Sequence, residues 1–217
     1  MSTFQSLEKE YLNITPFDTD QLLPFYEMNK SFFISFQPVH PNELKRYLSM
    51  LSEIGQTYSF SGKHKTAIAI LNRVINLYET NHNQMDIDLT QEVSYNQACW
   101  SKGYSLMEQK QFAKAKPIFK HLQDLEAPQN ADMYEIILKI CNWKIKNRIA
   151  VGLGVTGFLI LSVKYSVKWI YPENYSEFFV YFGFLGSILI ISSGLMYKFK
   201  IDSKIIDKYI SNDQVRV

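Results

Sequence analysis

Gly152, Gly154 and Gly157 spell G-x-G-x-x-G, and Glu177 stands about twenty residues after the last of them. In a dinucleotide site such glycines let backbone amides approach a pyrophosphate at a helix N-terminus, and the carboxylate holds a ribose hydroxyl. That chemistry needs a strand before the motif, a helix after it and a parallel sheet around both. Here the motif lies in an uncharged apolar stretch, and the chain beyond it is largely a second such stretch. The residues fit a different use, as small side chains that let two apolar helices approach closely. Gly183, Gly186 and Ser187, with Gly194, offer the matching face. Ser61-Gly62-Lys63 ends like a phosphate loop, but His64 stands where Ser or Thr is required and the upstream glycine spacing is absent, so it reads as a turn. His40, His64, His82 and His121 have no metal-ligand spacing to one another or to Cys99 and Cys141, and they read as surface residues. The two cysteines fall at helical core positions and are expected to be reduced. Asp86 and Asp88 lack an EF-hand frame. No catalytic residues, metal or cofactor are expected, and the chain does not read as an enzyme.

The composition sets the frame for these residues. The chain has 217 residues, 47% of them hydrophobic, with 23 Lys+Arg, 21 Asp+Glu and 2 Cys. These values exclude disorder, collagen and a disulfide scaffold. Up to Arg148 there are 16 basic and 16 acidic residues, and beyond it 7 and 5. With no basic block in the first part, no nucleic-acid partner is expected. The second part holds two long apolar stretches, so the chain is bipartite.

Residues 178–197 read FFVYFGFLGSILIISSGLMY, without a charge. At 1.5 Å per residue twenty residues reach about 30 Å, the thickness of a bilayer's hydrocarbon core. Residues 149–163 are also uncharged but shorter; Lys164 lengthens the stretch by snorkelling, and Trp169 and Tyr171 suit the interface. An interfacial helix is the other reading of this stretch, but Lys164 and Lys168 come too late to give it a polar face. Two spans are therefore expected, 149–171 and 178–197, joined by a short loop into an antiparallel hairpin. Lys144, Lys146 and Arg148 before the first span, and Lys198, Lys200, Lys204 and Lys208 after the second, place both termini in the cytoplasm; Lys164 and Lys168 lean the other way. The first residues have no basic and apolar pattern of an export signal. The expected location is integral to a membrane, with residues 198–217 a basic cytoplasmic tail.

From 42 to 148 the apolar spacing is helical and no strand appears. Leu44, Leu48, Leu51, Ile54 and Tyr58 recur at three- and four-residue steps, and Ala67, Ile70, Leu71, Val74 and Leu77 repeat the pattern after the Gly62 break. A second copy lies further along. Gly55, Ala67 and Leu71 have the same spacing as Gly103, Ala115 and Phe119, offset by 48 positions. With Leu51, Ile54 and Tyr58 in one copy, and Cys99, Leu106 and Phe112 in the other, the chain resembles the tetratricopeptide repeat (TPR) family over 48–81 and 96–129. That family stacks antiparallel helix pairs of about 34 residues. Two departures stand out: HNQMDIDLTQEVSY lengthens the offset, and Lys102 replaces an apolar residue.

The resemblance implies an all-α fold: TPR-like helical hairpins (antiparallel α-α repeats) over 42–130, followed by the two-helix transmembrane hairpin. Two repeats leave their end faces open. A helix over 131–148, through Met133, Tyr134, Ile137, Leu138 and Cys141, is expected to close one end and run on into the first span. Residues 1–41 are too aromatic for a disordered tail and are expected to fold over the first repeat, with a short helix near Asp18–Lys30. In the family the first helix of each pair lines a concave face that holds peptides. By position, Ser52, Gln56, Ser59 and Phe60 come from the first repeat, and Gln97, Trp100, Tyr104 and Met107 from the second. These aromatics and amides do not resemble a groove that clamps a terminal carboxylate. Either the groove is open to a partner, or residues 1–41 fill it. The expected function is a membrane-anchored scaffold or adaptor binding a protein or peptide at the cytoplasmic face. The alternative is an accessory subunit of a secretion- or transport-type membrane assembly, with homo- or hetero-oligomeric contacts through the hairpin glycines.

Overall fold

The computed structural model describes residues 4–38, 40–125, 131–170 and 177–198. Among these the chain forms helices and no strand: α1 (Phe4–Tyr11), α2 (Thr19–Ser35), α3 (Pro41–Phe60), α4 (His64–Met85), α5 (Val93–Glu108), α6 (Phe112–Leu125), α7 (Ala131–Ile170) and α8 (Glu177–Lys198). It divides into two compact units, 1–138 and 139–217, with the division inside α7.

In the first unit α3 pairs with α4, and α5 with α6, as two antiparallel hairpins, and α5 also packs on α3 and α4. The glycines set how closely each pair approaches. A Cβ on Gly55 would stand 2.6 Å from Leu71 Cδ2, and one on Gly103 would stand 2.7 Å from Phe119 Cζ. Ala67 and Ala115 are fully buried at the same crossings. The turns match as well. Seven positions after each of these glycines, Gly62 (φ 77°) and Lys110 (φ 59°) adopt the left-handed conformation. In the first turn Gly62 N donates to Ser59 O and Lys63 N to Tyr58 O; in the second Lys110 N donates to Met107 O and Gln111 N to Leu106 O. The two hairpins are thus one design used twice. The extra length between them is shared by the last turn of α4, which runs to Met85 with Asp86 (φ 50°) as its left-handed C-cap, and the loop into α5.

Residues 4–38 pack on α3 and α4. The helix expected near 18–30 begins as anticipated, with Asp18 accepting from Asp20 N and Gln21 N, but continues past Pro24 to Ser35. The extra turn seats Phe33 against Tyr47, whose hydroxyl donates to Phe33 O at 2.5 Å. Helix α1 has no counterpart among the elements expected from the sequence, although Phe4, Leu7 and Tyr11 have helical spacing; Phe4 and Leu7 are buried. Glu53 of α3 fastens this segment, accepting from the Tyr11 hydroxyl and, at 2.9 Å, from Phe17 N. Arg46 Nη1 meets both oxygens of Glu8 at 2.8 Å. With α2, α4 and α5 around it, α3 is buried along most of its length from Leu44 to Ser59. At the start of α7 Tyr134 is buried.

In the second unit the remainder of α7 meets α8. A Cβ on Gly157 would come 2.7 Å from Gly186 O, and one on Gly186 3.0 Å from Gly157 O, so the two backbones touch. Among the described residues one helix, Asp132–Lys168, is long and apolar enough to cross a membrane, and the apolar stretch of α8 is the shorter Tyr181–Ser193. The expected second stretch is helical, but among the described residues it does not reach the length of a second span. The loop after Ile170 and the tail after Lys198 lie outside the described residues.

Candidate functional site

On the outward side of α5, Trp100 and Tyr104 lie one turn apart, so their rings share a face. They stack in parallel with centroids 5.7 Å apart and 7° between planes. His64, at the first turn of α4, meets Tyr104 edge-on at 6.1 Å, and its Nδ1 is 3.4 Å from Ser105 Oγ. Trp100, Tyr104 and Met107 are half-buried, Gln97 is exposed, and Phe60 at the end of α3 is 61% exposed. Partial burial, and then the Glu108 carboxylate, raise the Tyr104 pKa, so its hydroxyl is a neutral donor at physiological pH.

Of the groove residues expected on α3, Gln56, Ser52 and Ser59 are turned into the α3–α5 contact. Gln56 is 6% exposed, and its Nε2 donates to Ser52 Oγ at 3.1 Å and Gln97 Oε1 at 3.4 Å. Ser52 Oγ donates to Ser94 O at 3.0 Å, and the Ser59 and Ser105 hydroxyls are 2.7 Å apart. Small hydroxyl side chains let these helices approach, and that closeness removes Gln56 from the surface. Gln97, Trp100, Tyr104 and Met107 keep exposed or half-buried side chains on α5, and Phe60 is exposed at the end of α3. Residues 4–38 are tied to α3 and α4 through Tyr47, Glu53, Tyr58 and Arg73.

The remaining candidates have structural roles. Cys99 is buried, and burial pushes its thiol up to about 12, far from the thiolate a nucleophile needs. Cys141 is also buried. His121 Nε2 lies 2.9 Å from the Tyr95 hydroxyl, and His82 Nδ1 2.9 Å from Glu79 O. Asp88 accepts from Thr90 N and Oγ1, which lowers its pKa and closes a turn. Among the described residues no group of three or more His, Cys, Asp or Glu is placed to hold a metal. Gly62 sits in a tight turn, as its neighbours implied.

In the second unit the structure brings together Gly157 with Gly186, and Gly154 with Ser193. Gly183 lies under the Lys164 side chain. Ser187 donates to Gly183 O of its own helix at 2.9 Å, and a Cβ on Gly152 would meet nothing within 4 Å.

Two antiparallel helix pairs packed side by side define a helical-repeat fold. The tetratricopeptide repeat family model matches residues 48–81, the α3–α4 hairpin with the closely packed Gly55, and supports assignment to that family. Such repeats are protein-interaction modules and typically carry no catalysis. No curated protein and no solved structure matches the chain.

Proposed function

We propose that the chain is a membrane-anchored TPR-type adaptor whose repeat domain recruits a protein partner at the cytoplasmic face of a membrane. The observation that carries this reading is the Trp100–Tyr104 stack on α5, with Phe60 exposed at the end of α3 in the first repeat. Large aromatic side chains held rigid at a surface supply much binding energy for little lost entropy. Residues 42–130 form the recruiting domain, 1–41 brace it, and 131–148 lead into the first span, 149–171. Membrane insertion of a two-span hairpin is supported by the length of Asp132–Lys168 and by outward apolar side chains. These include Val155, Phe158 and Leu159 on α7 and Phe184, Ile188 and Ile191 on α8. The test is crosslinking and affinity purification from membranes with wild type beside Trp100→Ala and Tyr104→Ala. Loss of specific partners in both variants supports the assignment; an unchanged partner set refutes it.

The second reading, an accessory subunit of a membrane assembly, is favoured by the reciprocal Gly157–Gly186 approach, which makes the hairpin a shaped surface. Replacing it with an unrelated two-span anchor separates the two. An adaptor keeps its partners after the exchange, whereas an assembly subunit loses them.

A further inference from the structure

The charges of residues 1–148 balance, yet they are sorted by helix. From Ser61 to Tyr78 there are three cations (Lys63, Lys65, Arg73) and no carboxylate, and from Gln109 to Gln123 four (Lys110, Lys114, Lys116, Lys120) and none. These stretches are the turns into α4 and α6 and most of each helix. The acidic excess lies elsewhere: residues 1–60 hold 7 carboxylates against 4 cations, and residues 79–108 hold 5 against 1.

Two clefts flank α4 on this basic side. One, of about 460 Å³, lies between α2 and α4, with Lys30, Lys65 and Arg73 around Tyr26, Phe33 and Ile70. The other, of about 720 Å³, lies between α4 and the α5–α6 hairpin, with Lys65, Lys102 and Lys114 around Ile68, Leu106 and Ile118. Lys65 borders both, so they form one surface, and no carboxylate lines either. Lys30 pairs with Glu27 at 3.3 Å. Arg73 is fixed in place by donating to Ile34 O at 2.7 Å and Phe36 O at 3.3 Å. Among the described residues Lys65, Lys102 and Lys114 have no ion-pair partner.

We propose that this second-helix face binds an acidic peptide segment with apolar side chains between its carboxylates, running across Lys65 from one cleft to the other. The apolar floors select side chains that insert, and the cations select carboxylates beside them. A planar bilayer does not enter two clefts. Single-stranded nucleic acid needs open aromatic faces for its bases, and here Tyr26 and Phe33 are 6% and 1% exposed. The face shares no residue with the α5 strip, so it stands or falls independently of the function proposed above.

The test uses the full chain in discs of zwitterionic lipid, a fluorescein-labelled synthetic peptide of alternating Glu and Leu, and anisotropy with empty discs subtracted. Wild type and Lys9→Glu are expected to bind alike. The Lys65→Glu/Lys114→Glu double variant is expected to bind about tenfold or more weakly while keeping its circular dichroism melting profile. A peptide with Gln for Glu, and poly-glutamate without Leu, are each expected to bind more weakly than the probe. Unchanged binding by the double variant, or equal binding of poly-glutamate, overturns the proposal. Tighter binding of a single-stranded oligonucleotide than of the peptide also overturns it.

Discussion

Gly55 and Gly103 do the same work in the two hairpins, but their neighbours differ in how they can yield. At Gly103 an added Cβ meets a buried phenyl ring 2.7 Å away, hemmed in by the α5–α6 crossing. Gly103→Ala gains about 1 kcal/mol of helix propensity, and overpacking costs about 1–3 kcal/mol. A net loss of stability is expected, seen as a lower denaturant midpoint. Lys110 presents the opposite case, a bulky residue in the left-handed turn position that Gly62 fills in the first hairpin. Lys110→Gly is expected to stabilise by up to about 1 kcal/mol, with a higher melting temperature as the readout. The buried phenols and Cys99 make the fold sensitive to base. Burial pushes Tyr47 and Cys99 up to about 12, and burial first, then nearby carboxylates, raise Tyr11, Tyr58 and Tyr78 as well. Groups with a folded pKa above the unfolded one stabilise fully below the unfolded value and lose that contribution as pH rises through the folded one. Stability should therefore fall from about pH 9, where unfolded thiols ionise, through about 10 for unfolded phenols. Phenolate absorbance and loss of helical circular dichroism should rise together across that window; phenolate formation well before unfolding would contradict it.

Helix pairs carry the next level of organisation, and their closeness is measurable. A Cβ on Gly154 would lie 3.4 Å from Ser193 Cβ, near the separation a disulfide requires. The Gly154→Cys/Ser193→Cys variant should form an intramolecular crosslink under mild oxidant. Adding Gly157→Leu should abolish it, because the new side chain meets the Gly186 carbonyl and the neighbouring Leu189 and Ile190. Crosslinking that survives Gly157→Leu would show that the glycine contact does not hold α7 and α8 together. In the first unit α3 illustrates the same dependence on small residues. Its Ser52, Gln56 and Ser59 edge is consumed by α5, so a position that faces a partner by family analogy becomes an internal contact.

At the scale of the whole molecule, a helical-repeat unit and an apolar pair of helices share one chain through α7. If the hairpin is inserted as proposed, alkaline carbonate should leave the full chain in the membrane pellet, since it strips proteins held by charge alone. Release into the supernatant would place the chain on the membrane surface or off it. The repeat architecture was legible in the sequence because Gly55, Ala67 and Leu71 recur as Gly103, Ala115 and Phe119, and helix crossings depend on side-chain size at fixed spacing. The two apolar helices were legible because their signal is an uninterrupted apolar run. The α1 helix was missed because eight residues give only two buried positions, Phe4 and Leu7, too few to set a period. Gln56 was misplaced and the basic face was invisible for a common reason. Spacing along a helix says which residues share a side, but which side a neighbouring helix covers depends on its distance and crossing. Linear order alone determined helices, repeats and apolar runs, each a local pattern. Which of Gln56, Trp100 and Lys65 meets solvent was decided by packing, because exposure is a property of what lies across from a residue.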